Sequence, residues 1–252
     1  MERSVSYGKG TARGPAAILE ASLQLEAFDG ESVPCASGIH TRPPVETLEA
    51  IEAAVVDVLK GGKVPVVLGG EHTVSLGAFR AFASFGEPFG IVQFDAHADL
   101  RDVYEGDPLS HACTMRRALD LEIPLLQIGV RALSREEFDL RRERRIPHVD
   151  GYAIGQRGLP DRLLPADFPE RVYVTFDVDA LDPSIMPATG TPEPGGLDWF
   201  RTMRALEKIS RRRRIVGFDV VELAPIVGLH APDFLAARLV YDLMGLIDRS
   251  PA

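Results

Sequence analysis

The sequence contains only two cysteines, Cys35 and Cys113, among its 252 residues. They stand far apart and form no CxxC pair, so neither a disulfide framework nor a thiolate metal site is expected. This scarcity is typical of a protein from a reducing compartment. We therefore expect a cytoplasmic protein.

Long hydrophobic runs are also missing. No stretch approaches the ~18 consecutive apolar residues of a membrane-spanning helix, and residues 1–7 lack the apolar segment of a secretory signal. The sequence therefore predicts a soluble protein with no membrane partner.

Positive charge is in deficit: 28 lysines and arginines face 37 acidic residues, for a net charge of −9. This balance disfavours nucleic acid as a partner, because phosphate binding requires a basic surface, and it suits a small cationic substrate. Two arginine-rich runs, at residues 141–145 and 211–214, lie at predicted helix ends. We interpret them as solvated helix termini favoured by the helix dipole, or as an oligomer surface.

The 45% hydrophobic and 26% charged fractions are ordinary for a globular chain, and no linker or repeat divides residues 1–252. We expect a single domain. Periodicity predicts helices at residues 16–25, 44–60, 73–83, 111–121, 134–144, 197–210 and 232–247. Strands are predicted at residues 64–68, 89–94, 125–130, 146–149, 171–177 and 214–221, with a proline-rich loop before the fifth. This alternation indicates an α/β fold whose sheet is mostly parallel.

Acidic and histidine residues follow several of these strands. Asp-x-His-x-Asp comes directly after the second strand, and the other candidates follow the first, fifth and sixth strands. Because parallel strands place their carboxyl ends at one edge of the sheet, these side chains are expected to meet there. The candidate set is His72, Asp95, His97, Asp99, Asp177, Asp179 and Glu222.

Four crowded carboxylates repel one another unless positive charge compensates them, and two divalent ions would do so. Oxygen ligands with imidazole and no thiolate favour Mn²⁺, Fe²⁺ or Zn²⁺. A metal pair of this kind activates water, so the pattern favours a hydrolase. Taken singly, each motif has a simpler interpretation: a strand-end Asp as a helix cap, Gly-Gly-Glu-His as a tight turn, or Asp-x-Asp as a plain loop.

Six motifs together resemble the ureohydrolase family of arginases and agmatinases, and the agmatinase branch most closely. The resemblance runs nearly end to end. The motifs are Gly-Gly-Glu-His-Thr at 69–73, Phe-Asp-Ala-His-Ala-Asp at 94–99, Ser-His-Ala-Cys at 110–113, Thr-Phe-Asp-Val-Asp-Ala-Leu-Asp-Pro at 175–183, Gly-Thr-Pro-Glu-Pro-Gly-Gly-Leu at 190–197 and Gly-Phe-Asp-Val-Val-Glu-Leu-Ala-Pro at 217–225.

This resemblance implies a three-layer α-β-α sandwich, two Mn²⁺ ions per chain, hydrolysis of a guanidinium group to urea and an amine, and a homotrimer or homohexamer. It also implies the role of each site residue. His72 and Asp99 would hold one manganese, His97 and Asp179 the other, Asp95 and Asp177 would bridge, Glu222 would bind the guanidinium, Asp99 would protonate the leaving amine, and His111 would relay protons.

The loop at residues 100–111 bears on the substrate. It lacks the Ser-Gly-Asn-Leu-His pattern of arginases, so arginine ranks low. Its acidic residues Asp102, Glu105 and Asp107 favour an amine tail, as in agmatine or N1-aminopropylagmatine, whose products are putrescine and spermidine. Arg101 would instead suit a carboxylated tail such as guanidinobutyrate if it pointed inward. We expect it to point outward as a surface partner of Asp102.

Two alternatives of other classes remain. One is a metal-binding relative without turnover, and the other is a zinc amidohydrolase of the deacetylase type with a mononuclear Asp/His/Asp site. Asp182-Pro183 and the loop at 190–196 are expected to shape the crevice wall, because proline and glycine fix unusual turns. Glu193, in that loop, is expected to be structural.

Overall fold

Six strands form one sheet in the computed structural model, which describes residues 1–250. They are β1 (Val66–Leu68), β2 (Gly90–Phe94), β3 (Leu125–Ile128), β4 (His148–Val149), β5 (Arg171–Asp177) and β6 (Arg214–Val221). Their spatial order is β1-β6-β5-β2-β3-β4, and every neighbouring pair is parallel. The predicted parallel sheet is thus confirmed.

Eight α-helices accompany the strands in the described part of the chain. They are α1 (Gly14–Ser22), α2 (Leu48–Lys60), α3 (Ser75–Phe85), α4 (Thr114–Asp120), α5 (Arg135–Glu143), α6 (Gly151–Arg157), α7 (Trp199–Ser210) and α8 (Ala231–Asp248). One apolar core joins the sheet to α1, α6, α7 and α8, and a second core joins it to α2, α3, α4 and α5. The three-layer α-β-α sandwich is confirmed.

Successive residues of the central strands point to opposite cores. In β2, Ile91 packs in the core on the α3 side, whereas Val92 and Phe94 pack in the core on the α8 side. All three are fully buried. A parallel strand covered on both faces needs this continuous apolar run, and burying each such side chain contributes about 1.5–3 kcal/mol.

One helix begins later than predicted and another was not predicted, each for a local reason. The helix predicted from residue 44 begins at Leu48, because Thr47 takes the N-cap and its Oγ accepts a hydrogen bond from the Ala50 amide at 3.2 Å. Helix α6 lies in the stretch predicted as a proline-rich loop. Its single turn of apolar residues, which buries Ile154, was too short for periodicity to detect.

The arginine-rich run at 141–145 is only partly a solvated helix end. Arg142 and Arg144 are exposed, but Arg141 is 3% exposed and its Nη2 lies 2.6 Å from Oδ1 of Asp150. The interpretation was wrong for Arg141, whose guanidinium anchors α5 to the residue that precedes α6. A partnered arginine can be buried in this way.

None of the helices found in residues 1–250 combines the length and apolar character needed to cross a bilayer.

Candidate metal centre

The predicted site residues lie where the connections of the sheet diverge. The chain leaves β2 for β3 on one side and leaves β5 for β6 on the other, so the crevice between β2 and β5 is a topological switch point. Asp95 follows β2 and Asp177 ends β5, and these strands are hydrogen-bonded neighbours. The fold therefore brings the central carboxylates together.

His72 is the centre of one cluster. Its Nδ1 lies 2.9 Å from Oδ2 of Asp99, 3.2 Å from Oδ2 of Asp95 and 3.7 Å from Oδ2 of Asp177. Ligand atoms of His72, Asp95 and Asp177 all lie within 4.8 Å of one another, and all three residues are buried. One cation would fit among them.

His97 is the centre of a second cluster. Its Nδ1 lies 2.9 Å from Oδ2 of Asp179 and 3.6 Å from Oδ1 of Asp95. Asp95 belongs to both clusters, with Oδ2 facing His72 and Oδ1 facing His97. The structure thus brings all six predicted ligands into two adjoining groups that share one carboxylate.

Both histidines sit in a strongly negative field. Burial disfavours their charged forms, but the carboxylates of Asp95 and Asp99 raise the pKa of His72 well above its usual value. Burial likewise opposes charge on His97, yet Asp179 and Asp95 raise its pKa to about 12. The cluster is therefore stabilised by positive charge at these two positions.

The carboxylates of the site also indicate that positive charge stabilises the cluster. Burial, together with the charges of Asp179 and Asp95, raises the pKa of Asp177 well above its usual value. Burial and Asp95 raise the pKa of Asp99 to about 6. The buried Nδ1 of His72 has no hydrogen bond of good geometry despite its short distances. Carboxylate oxygens and imidazole nitrogens are donors for borderline divalent ions, so these residues fit a metal pair.

Two site residues adopt a backbone conformation that side-chain-bearing residues rarely take. Asp99 has a φ of 52° and Glu222 a φ of 65°. Such left-handed conformations carry a steric cost and persist only where the surrounding structure fixes them. The loops after β2 and β6 are thus held in strained turns at the site.

Glu222 ties the loop after β6 to the loop after β1. Its Oε1 accepts a hydrogen bond from the His72 amide at 2.7 Å, and its own amide donates to the Gly70 carbonyl at 2.7 Å. Burial raises its pKa to about 8. A cationic group beside this carboxylate would favour its charged form.

A narrow cleft leads to this cluster, with a cavity volume of about 20 Å³. Such a volume holds roughly one water molecule. The N-terminal segment forms one of its walls. The lining residues are Val5, Ser6, Tyr7, His97, Asp99, His111, Asp177, Asp179, Gly190, Thr191 and Glu222.

Comparison with protein families gives a match to the arginase family model over residues 1–245, which is nearly the whole chain. The chain belongs to the arginase family. The predicted resemblance is confirmed, and the family's fold agrees with the three layers observed.

Similar members of the arginase family come from bacteria and archaea. A Synechocystis protein named N(1)-aminopropylagmatine ureohydrolase is 40% identical over 97% of this chain and 85% of its own length. A Pyrococcus horikoshii agmatinase is 33% identical over 98% of this chain and 89% of its own. The solved structure of agmatine ureohydrolase from Thermoplasma volcanium is 32% identical, with a TM-score of 0.85 over 98% of this chain and 87% of that one.

Arg101 lies outside the cleft of this arginase-family chain, as predicted. Its guanidinium carbon stacks 5.0 Å from the centre of the Tyr104 ring, and its Nε lies 3.9 Å from Oε2 of Glu137. The expected pairing with Asp102 was wrong. Asp102 instead accepts a hydrogen bond from Arg117, because α4 brings that guanidinium closer.

The acidic loop is less negative than its sequence indicates. Asp102 is paired with Arg117, and Asp107 lies 3.7 Å from Nη2 of Arg3 while its Oδ1 accepts a hydrogen bond from the Leu109 amide. Two of the three acidic side chains are thus engaged in local contacts.

The predicted crevice wall, at residues 182–183 and 190–196, is held by hydrogen bonds between side chains and backbone groups. Oδ2 of Asp182 accepts from the amides of Gly195 and Gly196, each at 3.0 Å. Arg131 donates from Nη2 to the carbonyl oxygens of Asp179 and Glu193, each at 2.8 Å. The wall is therefore fixed to the ligand-bearing loop.

Two buried glutamines, Gln93 and Gln127, lie behind Asp95 and were not predicted as site residues. Nε2 of Gln93 donates to Oδ2 of Asp95 at 2.8 Å, and Nε2 of Gln127 donates to Oε1 of Gln93 at 2.6 Å. Both glutamines are fully buried. Both occur in strands predicted to be buried, and a buried amide needs a polar partner. The sequence could therefore have indicated that these glutamines contact polar groups of the site.

Proposed function

We propose that this protein hydrolyses the guanidinium group of agmatine or N1-aminopropylagmatine to urea and putrescine or spermidine. One observation carries the proposal: a buried carboxylate, Glu222, stands beside two adjoining Asp/His clusters in one cleft. The relatives' names and their 33–40% identity support the same substrate class.

The metal pair belongs to the same proposal. His72 and Asp99 would hold one Mn²⁺, His97 and Asp179 the other, with Asp95 and Asp177 between them. When bound, the ions would neutralise the carboxylates and activate water for attack on the guanidinium carbon. The supporting geometry is the placement of Asp95 between the two histidines.

Glu222 would orient the substrate. A guanidinium is planar and permanently charged, so a carboxylate binds it by paired, charge-assisted hydrogen bonds. One Glu222 oxygen is already fixed by the His72 amide, which sets the carboxylate plane. The substrate cation would then supply the positive charge that this buried carboxylate otherwise lacks.

Asp99 and His111 would move protons. The leaving amine must be protonated before the C–N bond breaks, and Asp99, which lines the cleft and would first take a proton from the attacking water, is the proposed donor. His111 lines the same cleft at its mouth and would exchange protons with solvent.

The wider setting is proposed from the sequence and the family. Residues 1–252 would form one domain, of which the last two lie outside the described residues. The protein would act in the cytoplasm as a homotrimer or homohexamer in polyamine biosynthesis.

Urea release tests the proposal. Purified Mn²⁺-loaded protein should release urea from agmatine or N1-aminopropylagmatine with a higher kcat/KM than from 4-guanidinobutyrate or arginine. The Glu222→Gln variant, which keeps the acceptor for the His72 amide but loses the charge, should lose most of this activity. Preference for guanidinobutyrate would overturn the substrate assignment, and absence of urea from all four compounds would overturn the reaction.

A further inference from the structure

A serine in the N-terminal segment contacts the proposed proton-relay histidine. The Ser4 carbonyl oxygen lies 2.8 Å from Nδ1 of His111, and the Ser4 hydroxyl accepts a hydrogen bond from the His111 amide at 2.9 Å. The two residues are 107 positions apart in sequence. This contact therefore joins two distant segments at the mouth of the cleft.

The contact determines which ring nitrogen of His111 carries a proton. A carbonyl oxygen only accepts hydrogen bonds, so the neutral ring must place its hydrogen on Nδ1. Nε2 is then the basic nitrogen. The Tyr104 ring packs edge-on against the imidazole at a centroid distance of 5.9 Å, which further restricts its rotation.

Ser4 is itself held in place by hydrogen bonds to Glu71. Its amide and its hydroxyl both donate to Oε2 of Glu71, at 2.6 and 2.8 Å. Glu71 is fully buried and directly precedes His72. The hydroxyl thus donates to Glu71 and accepts from His111, so a single side chain connects the first metal-binding loop to the relay histidine.

We infer that Ser4 is a positioning residue, which holds His111 in the Nδ1-protonated tautomer so that Nε2 exchanges protons in the cleft. This inference rests on the proposed function for the role of His111. A histidine's tautomer is commonly fixed by a hydrogen bond at its other nitrogen. Without the Ser4 hydroxyl, the segment keeps only the amide hydrogen bond to Glu71 and loses the hydrogen bond from the His111 amide, so the carbonyl is held less firmly against Nδ1.

The direct test is ¹⁵N NMR of histidine-labelled full-length protein in mildly alkaline buffer, in which free imidazole is neutral. Spectra are recorded without added metal and with diamagnetic Zn²⁺, and His111→Gln assigns the signal. Wild type should show Nδ1 protonated and Nε2 bare. Ser4→Ala should show a mixture of tautomers, Ser4→Thr should restore the wild-type pattern, and exposed Ser22→Ala should not change it.

Kinetics provide the second readout. Ser4→Ala should lower kcat about tenfold with little change in KM, Ser4→Thr should recover most of it, and thermal unfolding should stay close to wild type. An unchanged tautomer in Ser4→Ala overturns the inference, whatever happens to kcat. A changed tautomer in a protein whose wild type releases no urea would support the positioning contact and overturn the proposed function instead.

Discussion

The body and the carboxyl end of strand β5 show opposite effects of burial. Along its body, Val172, Val174 and Phe176 are fully buried among apolar neighbours, where burial stabilises the fold. At its carboxyl end, Asp177 and Asp179 are almost equally buried, and there burial raises the pKa of both carboxyls. The same degree of exclusion from water therefore stabilises the body of the strand and destabilises its carboxyl end.

Under the proposed function, the acidic end of the strand is the part that depends on a bound cation. The apolar body is complete from the chain alone, whereas the acidic end is stabilised by positive charge, which His72 and His97 supply in part and the proposed metal ions would complete. The strained φ values of Asp99 and Glu222 add to the cost at that end. Stability and function are thus separated along a single strand, and substitutions at each end should behave differently.

The largest effect is expected from Asp177→Asn. Losing one carboxylate of the metal pair removes several kcal/mol of transition-state stabilisation, so urea release should fall about a thousandfold or more. The metal-free variant should nevertheless unfold at a higher temperature than metal-free wild type at neutral pH, because the fold no longer buries a carboxyl whose pKa is raised there.

The matched control is Asp161→Asn, which removes a fully exposed carboxylate near Lys208. It should leave both urea release and melting temperature unchanged. A metal-free Asp177→Asn protein that melts below wild type would show that the acidic end does not destabilise the fold.

Phe176→Ala tests the apolar body of the same strand. Phe176 is fully buried and stacks on Phe94 at 5.1 Å, so its truncation should cost about 3–5 kcal/mol. Urea denaturation should show this loss with and without metal. Phe200→Ala, at a 77% exposed position, should change stability by less than about 0.5 kcal/mol. Equal losses at both positions would contradict the account.

Chelation should lower stability by a smaller amount. A ligand at a hundredfold its Kd stabilises the native state by about 2.7 kcal/mol, which corresponds to a melting shift of roughly 5–11 °C for a chain of this size. Differential scanning fluorimetry with Mn²⁺ and then with excess EDTA measures it. Asp177→Asn should show little of this shift; a full shift in that variant would contradict its role in the pair.

Ser134→Ala should have the smallest effect. Its Oγ accepts a hydrogen bond from the Glu137 amide in the capping box of α5, and loss of such a cap costs about 1 kcal/mol. Glu137 also accepts from the Leu100 amide at 2.9 Å, next to Asp99. Thermal unfolding measures the loss, and Ser134→Thr should reverse most of it.

The sequence was sufficient to predict the sheet and the meeting of the site residues. Continuous apolar runs identified β2, β5 and β6, and the rule that ligands bind at carboxyl ends placed Asp95, His72 and Asp177 together. Both inferences use local pattern plus a general property of parallel sheets, and neither needs a particular side-chain contact.

The remaining features depend on particular pairings of polar and charged side chains, some of them between distant segments. Ser4 reaches His111 across 107 residues, and Arg101 turns to Tyr104 because Arg117 already engages Asp102. No periodicity signals such pairings, since each is a choice among several charged or polar partners. The buried position of Arg141 has the same origin in its pairing with Asp150.

Metal stoichiometry measured alongside urea release tests the central claim most directly. Metal-free protein is titrated with Mn²⁺, and bound metal is determined on the same samples. We predict two ions bound per chain, with urea release from agmatine or N1-aminopropylagmatine reaching its plateau only as the second is bound. A plateau at one ion per chain, or a tightly held single Zn²⁺, would contradict a binuclear centre at the carboxyl edge of the sheet.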